Sequence, residues 1–151
     1  MACELLQREF KNSKGEEVLI TTRQLSASKA LDLHIELISK LGTNVFPFID
    51  NKYNFGDIIA LMNHADNKVI SELMKRVVCM ANFEGKEVTP ALFDIFYNGE
   101  LMLVCKVFAF VCEANFYDFF KQGLEMNEQR RLEAEAQSKQ EEQQNSSPAT
   151  I

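Results

Sequence analysis

The sequence has no tryptophan, three prolines, six glycines and no surplus of basic charge. Net charge is −6 and the pI about 5.0, with the 16 basic residues scattered, so the electrostatic footprint of a nucleic-acid binder is missing. There is no G-x-S-x-G, Walker A, H-E-x-x-H or dinucleotide-type glycine pattern, and no converging set of polar groups that would mark a catalytic centre. Gly42, Gly56, Gly85, Gly99 and Gly123 each stand where a turn or helix end is expected. None of the cysteines Cys3, Cys79, Cys105 and Cys112 forms a C-x-x-C pair. Cys105 and Cys112 sit seven apart on one helix face, too distant for a disulfide within the chain. They read as reduced core or interface thiols, and His34 and His64 lack the spacing to complete a zinc site. No cofactor, metal or enzymatic activity is expected.

A membrane span is also missing. Spanning takes about 20 apolar residues. The longest apolar run is interrupted by Lys106, Glu113 and Asp118, each costing about 2.5–3.5 kcal/mol near a bilayer centre. The amino-terminal MACELLQREFKNSKGEE is polar and mixed in charge, unlike a secretory signal. The chain is expected to be soluble and intracellular.

What is present is a substantial core. At 46% hydrophobic content, 151 residues suit one domain with an appendage. The stretch from Glu100 to Lys121, ELMLVCKVFAFVCEANFYDFFK, is apolar nearly all round when read at helical spacing. Such a helix must bury itself in its own core or against a partner. The 12 phenylalanines allow both readings, ordinary core and an apolar groove for a partner helix.

Along the chain, Phe10 to Thr22 reads as a hairpin turning at Asn12-Ser13-Lys14-Gly15. A helix follows from Ser26 or Ser28 to Leu41, with Ala27, Ala30, Leu31, His34, Ile38 and Leu41 at helical spacing and Leu33, Ile35 and Leu37 widening the face. Thr43 to Asn54 is a short helix or a loop. Phe55 to Asn63 is a helix with Ile58, Ile59, Leu61 and Met62 facing inward. Asp66 caps a helix over Asn67 to Met80, striped by Val69, Ile70, Leu73, Met74, Val77 and Met80. Phe83 to Val88 is a tight turn with a residual strand pair, and Thr89-Pro90 caps a further helix to the Asn98-Gly99 break. The expected fold is mainly α: a compact helical bundle with a small N-terminal β-hairpin and a disordered or frayed-helical C-terminal tail. The composition shift near Gly123 sets the expected division into a domain over 1–123 and a charged Gln/Glu-rich tail over 124–151.

The opening Gln24-Leu25-Ser26-Ala27-Ser28-Lys29-Ala30-Leu31 and the ending Asn115-Phe116-Tyr117-Asp118-Phe119-Phe120 carry a resemblance. In this order they resemble the tail assembly chaperones of tailed bacteriophages, with their Q-L-x-A-x-K-A-L opening and N-F-x-D-F-F ending, over about Phe10 to Phe120. The resemblance implies a non-enzymatic assembly factor in the cytoplasm of the infected bacterium, absent from the finished virion. It implies a chaperone that coats the tape-measure protein, keeps it soluble and helps tail-tube subunits polymerise. It further implies a longer frameshifted form in many members, whose extension beyond the domain recruits tail-tube protein.

A long amphipathic client needs its apolar stripe covered, which points to the last helix. Leu101, Val104, Phe108, Val111, Phe116 and Phe119 are the expected client-facing or self-association residues, with Leu73, Val77 and Phe93 supporting them; a core role for each stays open. Asn115 and Asp118 are expected to cap or orient neighbouring backbone. Surplus apolar helix surface also suggests a homo-oligomer or several copies on one client. The competing reading is a small phage or host helical adaptor that regulates one folded partner.

Overall fold

A computed structural model of the chain describes residues 4–64 and 66–145. It is mainly helical, with a small antiparallel sheet near the amino terminus. Two compact units divide it, the first ending at Tyr117 and the second beginning at Asp118.

In the first unit, strands β1 (Leu5–Lys11) and β2 (Glu17–Arg23) form the hairpin, longer at both ends than Phe10 to Thr22. Period-two alternation explains its inner face: Phe10 lies opposite Val18, Arg8 opposite Ile20 and Leu6 opposite Thr22. The turn is held by the Asn12 side chain, whose Oδ1 accepts the amides of Lys14 at 3.0 Å and Glu16 at 2.9 Å. A third strand, β3 (Asn82–Phe83), pairs with β2 through Ile20 and Thr21, giving the order β1-β2-β3. Its partner in the expected residual pair is Lys86, which bridges to Phe83 across Glu84 and Gly85. Both turn residues have positive φ (49° and 77°), the geometry of a type I′ turn, so glycine at 85 removes a steric cost there.

Helix α1 (Ala27–Leu41) follows Ser26, as expected. Its buried face is Leu33, Leu37 and Leu41, whereas Leu31 and Ile35 are exposed. The wide apolar face of the sequence thus resolves into a one-residue-in-four row against the core and a second row in solvent. Gly42 ends the helix at φ 61°, where the His64 ring packs so closely that a Cβ would lie 3.3 Å from Nε2. A 3-10 turn (Gly42–Val45) then leads to the one-turn helix α2 (Phe46–Ile49) with Pro47 in its first turn.

Helix α3 (Phe55–Met62) opens with a capping box: Asn54 Oδ1 accepts the Asp57 amide and the Asp57 carboxylate accepts the Asn54 amide, each at 2.9 Å. Only Ile58 and Leu61 turn inward; Ile59 and Met62, expected inside, face solvent. Helix α4 (Asn67–Val78) is capped by Asp66, and buries Ile70, Leu73, Met74, Val77 and Val78. Helix α5 (Pro90–Phe96) is capped by Thr89, whose Oγ1 accepts the Leu92 amide at 3.3 Å. The core also holds Phe48, Ile49 and Val45.

Helix α6 (Leu101–Asn145) contributes its portion up to Tyr117 to this core, where Leu103, Val107, Phe108, Phe110, Val111 and Cys112 are buried. The second unit is the remainder of α6. Beyond Asp118 it is helical to Asn145, and its side chains up to Gln143 are exposed almost throughout, with Arg131 bridging Glu128 and Glu135 at 2.6 Å each. Of the expectations above, those on Cys3 and on the last six residues lie outside the described residues. Among the described residues no helix is long and apolar enough to cross a membrane.

Candidate functional site

The core portion of α6 is pinned from several sides. Arg8 reaches Glu113 at 2.7 Å and lays its guanidinium 4.8 Å over the Phe110 ring, against which Phe10 packs edge-on at 5.6 Å. Phe48 meets Phe108 at 5.7 Å and His34 meets Phe116 at 5.1 Å, both edge-to-face. At the helix start, the Glu100 carboxylate accepts the Ser13 amide at 2.9 Å and its hydroxyl at 2.5 Å, fastening the hairpin tip. Near residue 115, Asn115 Oδ1 accepts the Leu25 amide at 2.8 Å, and Gln24 Nε2 donates to the Ala114 carbonyl at 2.9 Å. Asn115 therefore orients backbone as expected, while the Asp118 side chain makes no hydrogen bond with the described residues.

This embedding decides where the sequence-selected residues stand. Val104, Phe108, Val111 and Phe116 are buried in the first unit, Phe108 and Val111 completely, as are the supporting Leu73 and Val77. Leu101 is 77% exposed, and Phe93 is half-buried. Phe119, in the second unit, is 64% exposed.

Leu101, Val104 and Phe93 come together with residues that were expected in the core and not in the client surface. They line an apolar groove of about 290 Å³ with Met62, Ile70 and Met74. A second groove of about 490 Å³ lies between α4 and α5, bounded by Glu72, Arg76, Cys79, Met80 and Asp94. Lys75 and Phe93 line both, so the two adjoin along α4 as the two halves of a trough divided by these side chains. Met62 extends the apolar surface onto α3, where Phe55, Ile59 and Met62 are exposed at spacings of four and three on one face. That spacing was visible in the sequence. What concealed it was the mean apolarity of the helix, which made Ile59 and Met62 look inward beside Ile58 and Leu61.

The lining of the trough is mainly apolar, with its charged groups and thiols in settings that the structure defines. Burial pushes the Cys79 thiol up, away from the reactive thiolate, and does the same to Cys105 and Cys112. Arg76 is held by Glu36 at 2.5 Å, and Glu36 also takes Lys40 at 2.6 Å; these two cations hold its carboxyl below the usual range. Among the described residues, no three of His, Cys, Asp and Glu gather to hold a metal ion. The trough offers apolar area with a polar rim, the makeup of a protein-contact surface.

A family model for the phage tail assembly chaperone protein, TAC, matches residues 16–128. No curated protein and no solved structure matches the chain.

Proposed function

Because the chain belongs to the phage tail assembly chaperone family, with a role in tail assembly in the infected host, we propose that its client is the tape-measure protein. In this reading the chaperone has no catalytic activity. It keeps the client soluble until tail-tube subunits polymerise around it, works in the host cytoplasm and is left out of the virion. Residues 1–123 act as the chaperone domain and 124–151 as its appendage, from which a longer form would engage tail-tube protein.

The observation that supports this reading most is the exposed apolar surface of Leu101, Met62, Ile59 and Phe55 beside the α4 trough. A folded domain that leaves such side chains in water gains by covering them, and a long amphipathic helix needs the same cover. Leu101 and Phe93 remain in the proposed client surface, with Val104 at the trough wall. Phe108, Val111 and Phe116, with Leu73 and Val77, are buried and would serve the surface only by holding the core on which it is built. Phe119 presents a further exposed ring for a client or another copy.

The test is co-expression with the tape-measure protein of the same phage, scoring soluble co-purification and stoichiometry. Several copies per client, reduced by Leu101→Asp with the fold intact by circular dichroism, is the expected result. A one-to-one complex with a folded partner and none with the tape-measure protein would replace this reading by the adaptor.

A further inference from the structure

The trough along α4 carries an ammonium group that no carboxylate of the described residues holds in an ion pair, although Glu72 and Asp94 also line the larger half. Lys75 stands where the two halves join, and in the smaller half it is the sole charged side chain of the lining. It makes no ion pair with the described residues, whereas its neighbour Arg76 is neutralised by Glu36. Around it the wall is Ile70, Met74, Phe93 and Leu101. The chain as a whole is acidic, at −6, so a bare cation beside an apolar trough runs against the general field. A local charge of opposite sign to the molecule selects at short range while the remainder repels at long range.

We propose that this trough reads amphipathic helices that carry a carboxylate on the flank of their apolar face. The proposal rests on the client-binding reading of the same surface and adds the class of segment it accepts. From Asn67 to Val78, α4 runs for about 18 Å at 1.5 Å per residue, so a helix lying along it places about three turns in contact. Its apolar residues at i, i+3 or i+4, and i+7 enter the trough. A Glu or Asp beside them meets Lys75, while a Lys or Arg there is rejected by like charge. The expected discrimination between acidic and basic flanks is about fivefold at low salt, since an ion pair replaces a repulsion at a half-covered site.

The experiment uses two labelled synthetic peptides of about 15 residues, long enough for four turns. Both carry the same leucine stripe, one with Glu and one with Lys on its flank, and fluorescence anisotropy with the full chain reads their affinities. Expected are tighter binding of the Glu peptide, a preference that shrinks in high salt, inversion of the preference by Lys75→Glu, and loss of both peptides in Met62→Asp. Equal affinities, or a preference that survives Lys75→Glu, overturns the proposal. Binding unaffected by Met62→Asp overturns it too, by placing the peptides elsewhere. If the charge rule holds but the tape-measure protein fails to co-purify, the trough chemistry stands and the client assignment falls. If the tape-measure protein co-purifies while the peptides show no preference, the reverse is true.

Discussion

Asn115 on α6 holds the backbone of Leu25 at 2.8 Å through Oδ1 while its Nδ2 donates to the Val111 carbonyl at 2.9 Å. One amide thus joins the end of the hairpin segment to the core helix, with both of its polar atoms used. Asn115→Ala leaves the Leu25 N–H without this partner and should cost about 1–3 kcal/mol in urea denaturation. Asn115→Asp keeps the acceptor but loses the donor, and should fall between wild type and Ala.

Core and surface on α6 separate by mutation. Phe108→Ala opens a cavity at a completely buried ring and should cost about 3–5 kcal/mol. Leu101→Asp, at an exposed site, should change stability by no more than about 0.5 kcal/mol while weakening client binding. Denaturation and co-purification measured on the same two proteins give the comparison.

The ring of His34, packed edge-on against Phe116, has its pKa lowered by burial from the ordinary 6.5. The unfolded chain then takes up a proton at a higher pH than the folded one, so stability falls as pH drops below about 6.5 towards the lowered folded value. Thermal melts between pH 8 and about 5 should show this slope, and His34→Gln should flatten it. Below the ordinary carboxyl value of 4.5 a separate loss sets in. Glu36, bonded by Arg76 and Lys40, and Glu100, bonded by Ser13, both titrate below that value when folded, and their contributions disappear as they protonate.

The Arg8–Glu113 pair is partly shielded and one member also lies on an aromatic face. A double-mutant cycle with Arg8→Gln and Glu113→Gln should return a coupling of about 1 kcal/mol, reduced by salt. The Arg8 change alone should cost more than the Glu113 change, because it also removes the contact with Phe110.

Tyr97 is buried among Phe83 and Phe93 with its hydroxyl making no hydrogen bond to the described residues, and burial raises its pKa. Removing that hydroxyl removes a desolvation cost. Tyr97→Phe should leave stability unchanged or raise it by about 1 kcal/mol in urea denaturation.

The elements with a strong local signature were legible in the sequence. The α5 start at Thr89-Pro90, the Asp66 cap and the α1 end before Gly42 each rest on a residue that acts within its own segment. The joining of the third strand to β2 was not, because a two-residue segment has no periodicity and its pairing with Ile20 and Thr21 is non-local, although a residual strand pair at Phe83 was expected. The faces of α1 and α3 were misjudged for a related reason. Leu31, Ile35, Ile59 and Met62 are as apolar as the buried residues beside them, and only the position of neighbouring elements decides which row is covered. The same holds for the trough: Leu101, Val104 and Phe93 were selected for apolarity, but Lys75 acquires its meaning from two elements meeting beside it.

The bonds that fasten the hairpin run from Ser13 to Glu100, from Arg8 to Glu113 and from Leu25 to Asn115. Each joins an early part of the chain to a late one. The first two strands can pair while the chain is still being made, but a lone hairpin is marginal in water and its inner face stays bare until α6 exists. At about 5–20 residues per second, the ribosome leaves Arg8 waiting roughly 5–20 seconds for Glu113. During that interval a member of a tail assembly chaperone family is itself an open apolar surface, and the charged helix that follows Tyr117 is the last described part to emerge as its core closes.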